Sequence, residues 1–256
     1  MRQTWIGTSW KMTKTLAESS SFARGLAARA HQDGWAGVQP FVIPPSTSLR
    51  LVADVLDGSG VLVGAQNAHW EDEGAWTGEV SVPLVVDAGA RLVEIGHSER
   101  RTHFGETDET VRLKVSAALR HGCIPLLCVG EPEEVFARGG STAFVLAQVE
   151  AAMRGLGPDE QRRVIVAYEP VWAIGEHGRA ARPEDVSGVF EQLAAEFGSR
   201  VRALLYGGSV DAGNAARTLE VPHVHGLFVG RAAWTLPGFL KILDIAVSHG
   251  ATCGST

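Results

Sequence analysis

Short apolar runs alternate with segments of helical periodicity along this chain, and the alternation continues from end to end without a linker. The apolar runs are rich in β-branched residues, which is typical of strands buried on both faces. The other segments repeat their apolar residues at the spacing of a half-buried helix. The predicted strands are residues 5–9, 38–43, 61–65, 92–95, 124–129, 164–168, 203–206 and 226–229. The clearest predicted helices are residues 15–30, 107–121, 142–154, 183–197 and 236–248.

Strands that alternate with helices in this way predict an α/β protein with a parallel sheet covered by helices. Eight repeats within 256 residues favour a closed (β/α)8 barrel over an open, doubly wound sheet. No Gly-x-Gly-x-x-Gly follows the first strand, which further disfavours the open sheet. Because 45% of the residues are apolar, the chain can bury one large core, and we expect a single domain over residues 1–256.

Charge and composition exclude several classes of partner. The net charge is -6 and the basic residues are dispersed, so the sequence lacks the basic stripe of a nucleic-acid-binding protein. No apolar run is long enough to cross a membrane, and Met1 to Thr4 lead into a strand without a signal segment. We therefore expect a cytoplasmic protein. Cys123, Cys128 and Cys253 lack metal-ligand spacing, which predicts free thiols and no metal site.

Residues 164–179 carry the strongest functional signal. An apolar run delivers Glu169 to the end of a strand, and Pro170 stops the pairing of that strand. The apolar residues 171–174 are suited to cover a pocket, while Gly175 permits a hinge or a close approach to an anion. A carboxylate under an apolar cover suits proton abstraction next to a carbonyl, because water must be kept from the intermediate. The alternative is an ordinary strand followed by a loop with one solvated glutamate.

Polar residues follow several of the other predicted strands. Lys11 follows the first strand, His97 the fourth and Glu169 the sixth, and glycine-containing turns at residues 207–209 and 230–231 follow the seventh and eighth. The carboxyl ends of barrel strands meet at one rim, where such folds place their chemistry. A lone lysine is usually a solvated charge and a lone histidine is usually structural, but their convergence on one rim predicts a catalytic site.

The polar residues belong to a series of short motifs. The motifs are Trp10-Lys11-Met12, Gly64-Ala65-Gln66-Asn67, Thr77-Gly78-Glu79, Gly96-His97-Ser98-Glu99-Arg100-Arg101, Phe104-Gly105-Glu106-Thr107, Gly130-Glu131, Ala167-Tyr168-Glu169-Pro170-Val171-Trp172-Ala173-Ile174-Gly175 and Tyr206-Gly207-Gly208-Ser209-Val210. They occur in the same order in the triosephosphate isomerase family, which the chain resembles almost from end to end. The resemblance implies a TIM barrel and an isomerase that moves a proton between adjacent carbons of a small sugar phosphate.

The resemblance also implies the roles of four catalytic residues. Glu169 is the base that moves the proton, and His97 is a neutral hydrogen-bond donor at the start of a short helix, where the helix dipole favours the uncharged ring. Lys11 supplies positive charge to the phosphate and to the developing enediolate. Glu99 is expected to pair with Lys11. No cofactor is implied, because this proton transfer needs none.

Substrate binding is implied at the phosphate and at the first strand. We expect the backbone N–H groups of Gly175, Ser209, Gly230 and Arg231 to hold the phosphate, since glycine turns beside a helix N-terminus form an anion site. Ser9 and Lys11 are expected to contact the substrate as well. The alternative for the glycine-containing segments is ordinary turn geometry.

A homodimer is also implied by the resemblance. The dimer contact is expected to involve residues 67–79, the loop from Asn67 to Glu79. This loop is expected to reach into the neighbouring subunit near the partner's Lys11. Trp70 and Trp76 lie on this polar loop, and large aromatic residues there more often mark an interface than an isolated surface cluster. Thr77 is a candidate contributor to the partner's site.

Four departures from the usual family pattern fall where the substrate is expected. Ser9 stands where the family usually has Asn, and Phe228 stands where Leu is common. Residues 176–178 read Glu-His-Gly instead of Thr-Gly-Lys, and Arg231 replaces a second glycine. This combination is similar to a branch of the family found in erythritol catabolism.

The branch resemblance implies the conversion of L-erythrulose 1-phosphate to D-erythrulose 4-phosphate through an enediolate. Ser9, with Val129 where Ile is common, leaves room for the extra hydroxymethyl group, whereas Phe228 reduces that room. The runner-up is the triosephosphate isomerase of glycolysis and gluconeogenesis, which interconverts dihydroxyacetone phosphate and glyceraldehyde 3-phosphate. A more remote alternative is a phosphosugar-binding barrel without catalysis.

Overall fold

Eight parallel strands close into a barrel in sequence order in this computed structural model, which describes residues 3–175 and 178–253, with side chains described as far as Ala251. The predicted single-domain (β/α)8 TIM barrel is confirmed. The strands are β1 (Thr4–Ser9), β2 (Val38–Ile43), β3 (Leu62–Ala65), β4 (Leu92–Ile95), β5 (Ile124–Val129), β6 (Ile165–Tyr168), β7 (Ala203–Tyr206) and β8 (Gly226–Val229). All eight predicted strands are confirmed, with starts that differ by at most one residue.

Helices cover the outside of the barrel and connect its strands. They are α1 (Leu16–Gln32), α2 (Leu49–Leu56), α3 (Val82–Asp87), α4 (Ser98–His103), α5 (Asp108–Arg120), α6 (Glu133–Phe136), α7 (Ser141–Met153), α8 (Pro158–Gln161), α9 (Pro183–Phe197), α10 (Ala215–Leu219) and α11 (Leu236–Cys253). Short 3-10 turns follow β2, β6 and β8. The five predicted helices are confirmed, although α11 runs to Cys253 rather than to residue 248. Within residues 3–175 and 178–253, no helix has the length and apolar character needed to cross a bilayer.

Two apolar layers hold the barrel together. Side chains that point inward form the filling of the barrel, while those that point outward pack under the helices. The ring of Phe41 fills the space above Gly7, where an added Cβ would lie 2.0 Å from it. Phe41 also stacks on Phe228, with ring centroids 5.8 Å apart. Both rings belong to the barrel filling, and Phe228 also lines the open space at the carboxyl ends of the strands.

The helices begin where the sequence offers capping groups. Thr15 accepts a hydrogen bond from the Glu18 N–H of α1, and the Glu18 carboxylate accepts one from the Thr15 N–H. Thr107 caps α5 in the same reciprocal way with Thr110. Such caps stabilise a helix by about 1 kcal/mol each, and they fix where each loop between strand and helix ends.

Candidate active site

A cavity of about 530 Å³ opens at the carboxyl ends of the strands. It is lined mainly by the segments that follow β1, β4, β6, β7 and β8. The cavity brings together every site residue predicted from the sequence. These are Ser9, Lys11, His97, Glu99, Glu169, Gly175, Ser209, Gly230 and Arg231.

Glu169 is only 5% exposed, and it lines the cavity just beyond β6. Its backbone N–H donates to the Val129 carbonyl oxygen at 2.7 Å, which extends the pairing of β6 with β5. Gly207 leaves the space that this side chain occupies, since an added Cβ there would lie 2.6 Å from Glu169 Cγ. The Oε2 atom of Glu169 has no hydrogen-bond partner and lies 3.9 Å from Nε2 of His97. The carboxylate is therefore held in place with one oxygen free to take a proton.

His97 caps the N-terminus of α4, and the residue is 5% exposed. The Nδ1 atom accepts a hydrogen bond from the Glu99 N–H at 3.1 Å. Because a nitrogen that accepts cannot carry the ring proton, a neutral imidazole must carry it on Nε2. The Nε2–H group then faces the cavity beside Glu169. This arrangement gives the site an uncharged hydrogen-bond donor next to a base.

Glu106 fixes the turn from which His97 projects. Its carboxylate accepts hydrogen bonds from the Gly96 N–H and from Arg100 Nε, each at 3.0 Å, and it pairs with the buried Lys114. Burial alone would raise the pKa of Glu106, but the hydrogen bonds from Lys114 and Arg100 bring it below its usual value. Burial also lowers the pKa of Lys114. The interaction is an ion pair inside the protein, so each partner depends on the other.

Lys11 lies two residues beyond the end of β1, lines the cavity and has a φ of 50°, in the left-handed region. Gln66 Nε2 donates to its carbonyl oxygen at 2.9 Å, which supports this backbone conformation. Lys11 Nζ lies 2.6 Å from Glu99 Oε1, as expected from the sequence. Burial raises the pKa of the Glu99 carboxyl, but the hydrogen bond from Lys11 and the nearby basic groups together outweigh burial, so the pKa is lower than usual. Both side chains are partly exposed, so an anionic substrate can compete with Glu99 for the ammonium group.

Glu131 anchors the start of the predicted lid, a role that the sequence did not reveal. Its Oε1 atom accepts hydrogen bonds from Trp172 Nε1 at 2.8 Å, Tyr168 Oη at 3.1 Å and Ser141 Oγ at 3.0 Å. Arg179 stacks on Trp172, with its guanidinium carbon 4.3 Å from the ring centroid. The two ends of the lid are therefore tied to each other and to the barrel.

Two contacts join the lid to the loops expected to hold the phosphate. The N–H and Oγ of Ser209 both donate to the Ala173 carbonyl oxygen, at 2.9 and 2.6 Å. Arg231 Nη2 donates to the Gly175 carbonyl oxygen at 2.8 Å. A phosphate that uses the Ser209 N–H must therefore take over a hydrogen bond that the lid holds here. Glu176 and His177, which replace the usual lid residues, lie outside the described residues.

Glu94 is a further acidic residue in the cavity that the sequence analysis missed. It lies in β4, is 4% exposed and receives a hydrogen bond from the Ser9 side chain, while its Oε2 atom has no partner. Burial and the nearby Glu169 raise the pKa of Glu94 to about 7. The signal was available, since Leu92-Val93-Glu94-Ile95 places one acid inside an apolar strand. By contrast, Val129, expected to enlarge the cavity, packs with the outward-facing core.

The loop at residues 67–79 displays aromatic side chains on the surface. Trp76 is 49% exposed and packs on His69, with ring centroids 4.6 Å apart, while Trp70 lies 6.4 Å from Trp76. Thr77 is exposed at the tip of the same loop. Among the described residues, no group of three or more His, Cys, Asp or Glu side chains is arranged to hold a metal ion. Cys123 and Cys128 are buried free thiols, and the side chain of Cys253 lies outside the described part.

Comparison with known proteins agrees with this geometry. Residues 4–246 match the sequence model of the family described as triosephosphate isomerase. L-erythrulose-1-phosphate isomerase from Mycolicibacterium smegmatis is 58% identical over 248 residues, which cover 96% of this chain and 94% of that protein. The enzyme of the same name from Brucella abortus is 48% identical, over 95% of this chain and 96% of the relative. The crystal structure of triosephosphate isomerase from Bartonella henselae superposes with a TM-score of 0.84 at 35% identity, covering 95% of this chain and 99% of that one. The chain therefore belongs to the triosephosphate isomerase family.

Proposed function

We propose that this protein is an isomerase that converts L-erythrulose 1-phosphate to D-erythrulose 4-phosphate. The observation that carries the proposal is the free Oε2 of Glu169, which lies 3.9 Å from His97 Nε2 in a cavity that also contains Lys11. The choice of substrate is supported by the relatives from M. smegmatis and B. abortus, whose name is L-erythrulose-1-phosphate isomerase.

The reaction needs one base and one hydrogen-bond donor. Glu169 removes the proton from C3 of the substrate, and the electron pair moves to the C2 carbonyl oxygen to form an enediolate. His97 donates its Nε2–H to the developing oxyanion, and the ammonium group of Lys11 stabilises the same charge. Glu169 then returns a proton to C2 as the C3 oxygen becomes the carbonyl. The O-bound proton moves from the C3 oxygen to the C2 oxygen, so the product is an isomer.

The phosphate is held by the backbone of Gly175, Ser209 and Gly230 and by Arg231, across the barrel from His97, while Lys11 follows the neighbouring strand β1. Two features support this assignment: a 3-10 turn begins at Arg231, and Gly230 and Arg231 line the same cavity as Gly175 of the lid. Amide dipoles that converge on one point favour a dianion. Binding energy gained at the phosphate can drive closure of the lid over the reacting carbons.

Triosephosphate isomerase activity is the second candidate, and the superposition on the B. henselae enzyme favours it. Dihydroxyacetone phosphate differs from L-erythrulose 1-phosphate only by the missing hydroxymethyl group on the carbon that loses its proton. Such a small difference is usually discriminated by about 1 to 3 kcal/mol. We therefore expect measurable but weaker turnover of the triose phosphate.

The decisive experiment compares kcat/KM on the two substrates. We expect L-erythrulose 1-phosphate to be preferred by about 10- to 100-fold. A strong preference for dihydroxyacetone phosphate would overturn the proposal in favour of the second candidate. Exchange of solvent deuterium into either bound substrate tests the remote alternative of a non-catalytic barrel, since a protein that only binds produces no exchange.

Glu169→Asp tests the base directly. The shorter side chain withdraws the carboxylate by about one methylene, so we expect turnover to fall about 100-fold or more with the fold intact. Glu191→Asp is a matched control, because Glu191 is exposed on α9. Unchanged turnover in the Glu169 variant would remove this residue from the mechanism.

A cytoplasmic homodimer completes the proposal. Trp76 is 49% exposed on the 67–79 loop, and Met12, next to Lys11, is 98% exposed, which supports an interface in which this loop covers the partner's Met12. Thr77 is then placed to reach the partner's Lys11. The buried thiols Cys123 and Cys128 suit a reducing compartment. Trp76→Asp is expected to yield monomers by light scattering, whereas the exposed Leu84→Asp on α3 leaves the dimer intact.

A further inference from the structure

Burial of the Glu94 carboxyl inside the barrel is energetically unfavourable for the folded state. Side chains alternate along β4, so that Leu92 belongs to the barrel filling while Val93 and Ile95 face the helices, and Glu94 shares the inward face with Leu92. A carboxyl group in this position is removed from water and lies near a second carboxylate, Glu169. Burying such a group without full hydrogen bonding is unfavourable, and proteins that keep one usually use it.

Only part of the hydrogen-bonding capacity of the Glu94 carboxyl is satisfied. The Ser9 side chain hydrogen-bonds to the carboxyl, yet Oε2 has no partner although it is buried. Glu94 and Ser9 both line the active-site cavity, so the unpaired oxygen belongs to a group at the cavity wall. An unpaired buried acceptor at a binding cavity indicates a ligand group that donates to it.

The position of Glu94 indicates which end of the substrate it meets. In a closed barrel of eight strands, β4 lies directly across from β8, whose following loop contains Gly230 and Arg231. The phosphate is proposed to bind at that loop. Glu94 therefore lies at the end of the cavity away from the phosphate, below the reacting pair of His97 and Glu169. The extra hydroxymethyl group of a tetrulose phosphate also extends from the reacting carbons away from the phosphate.

We propose that Glu94, oriented by Ser9, accepts a hydrogen bond from the terminal C4 hydroxyl of the four-carbon substrate and thereby sets the preference for it over a three-carbon phosphate. This inference rests on the proposed function and adds the residue that selects the substrate. Ser9 acts as a positioning residue, since its side chain interacts with the Glu94 carboxyl, whose Oε2 atom has no partner. A triose phosphate has no group to offer this oxygen, so its binding leaves the carboxyl unpaired.

The test uses the purified full-length enzyme and three substrates: L-erythrulose 1-phosphate, its 4-deoxy analogue and dihydroxyacetone phosphate. Glu94→Leu removes the acceptor at similar size. We expect it to lower kcat/KM for L-erythrulose 1-phosphate by about 10- to 100-fold more than for dihydroxyacetone phosphate. In the wild-type enzyme the 4-deoxy analogue should lose a similar factor relative to its parent, whereas in Glu94→Leu the two should differ by less than about threefold.

Two results would overturn the role of Glu94. One is an equal loss of kcat/KM on the tetrulose and triose phosphates, and the other is a wild-type enzyme that treats the 4-deoxy analogue like its parent. If Glu94→Leu does not fold, Glu94→Gln keeps the shape of the side chain and decides the question, with an expected loss of preference of about 3- to 10-fold. Failure of the proposed function is recognised separately, because then the wild-type enzyme itself does not turn over L-erythrulose 1-phosphate.

Discussion

The guanidinium group of Arg231 donates a hydrogen bond of 2.8 Å to the carbonyl oxygen of Gly175, which joins the loop after β8 to the lid after β6. This cation lines the cavity at the end where the phosphate is expected. Its position is suited to attract a dianion and to hold the lid against it. Because Arg231 is exposed, solvent weakens both effects.

Replacing Arg231 with Ala should therefore weaken phosphate binding more than it slows chemistry. We expect KM for the phosphorylated substrate and the inhibition constant of inorganic phosphate to rise by about 3- to 10-fold, with a smaller change in kcat. Steady-state kinetics with added phosphate measure both constants. Arg24→Ala removes the same charge from an exposed position on α1 and should change neither. An unchanged inhibition constant in the Arg231 variant would show that its side chain does not act on the anion.

The hydrogen bond from the Glu99 N–H to His97 Nδ1 leads to a second prediction. His97→Gln removes a donor whose orientation this bond fixes, so kcat should fall by about 100- to 1,000-fold with a smaller change in KM. Stopped assays on the tetrulose phosphate measure both parameters. His31→Gln, on the exposed face of α1, is the control and should retain normal turnover. A variant at His97 that loses affinity but keeps kcat would assign the ring to binding alone.

The buried pair of Glu106 and Lys114 leads to a prediction about stability. Lys114→Met leaves the Glu106 carboxylate buried with fewer donors, and we expect it to lower the free energy of unfolding by about 3 to 5 kcal/mol. Combining it with Glu106→Gln removes the uncompensated charge and should recover part of the loss. Urea unfolding at a fixed protein concentration measures these differences. A loss below about 1 kcal/mol in the single variant would mean that water or Asn67, a partner of Lys114, compensates for the missing charge.

The barrel could be predicted because each strand has a recognisable local pattern in the sequence. Apolar runs such as residues 124–129 stand between helix-period segments, and the closed order of strands follows from their number. Lys11, His97 and Glu169 were predictable for the same reason, since each lies within two residues of the end of a strand and so reaches the same rim. The distances between these side chains could not be predicted, because they depend on the tilt and packing of the strands in the folded barrel.

Other parts of the site depend on contacts between distant segments. Arg231 and Gly175 are separated by 56 residues, and no local pattern indicates that one donates to the other. The importance of Glu94 depends on which face of β4 points inward. A buried parallel strand is apolar on both faces, so its sequence does not distinguish the inside of the barrel from the outside. The pairing of β4 with β5 resolves this, since it fixes Glu94 opposite Leu126 of the barrel filling.

Glu94 also predicts how the stability of the enzyme depends on pH. Burial raises its pKa from 4.5 to about 7, so between these values the unfolded chain has lost this proton while the folded protein retains it. The stability contributed by this group therefore falls as pH rises from about 4.5 to 7, and above pH 7 its ionised form costs about 3 kcal/mol. Glu94→Gln removes this cost. The variant should gain about 2 to 3 kcal/mol of unfolding free energy relative to wild type between pH 5 and pH 8.

Urea unfolding of both proteins at pH 5, 6.5 and 8, at one protein concentration, isolates the contribution of Glu94, because every other titrating group is common to the two. His97, Lys11 and Glu169 are the titratable neighbours of this carboxyl, and all three remain in the variant. Glu191→Gln, on the exposed face of α9, should show no such pH-dependent gain. A constant difference between wild type and Glu94→Gln across this range would mean that Glu94 ionises near its ordinary pKa. Water in the cavity would then hydrate the carboxyl, and an acid in β4 would not lower the free energy of unfolding.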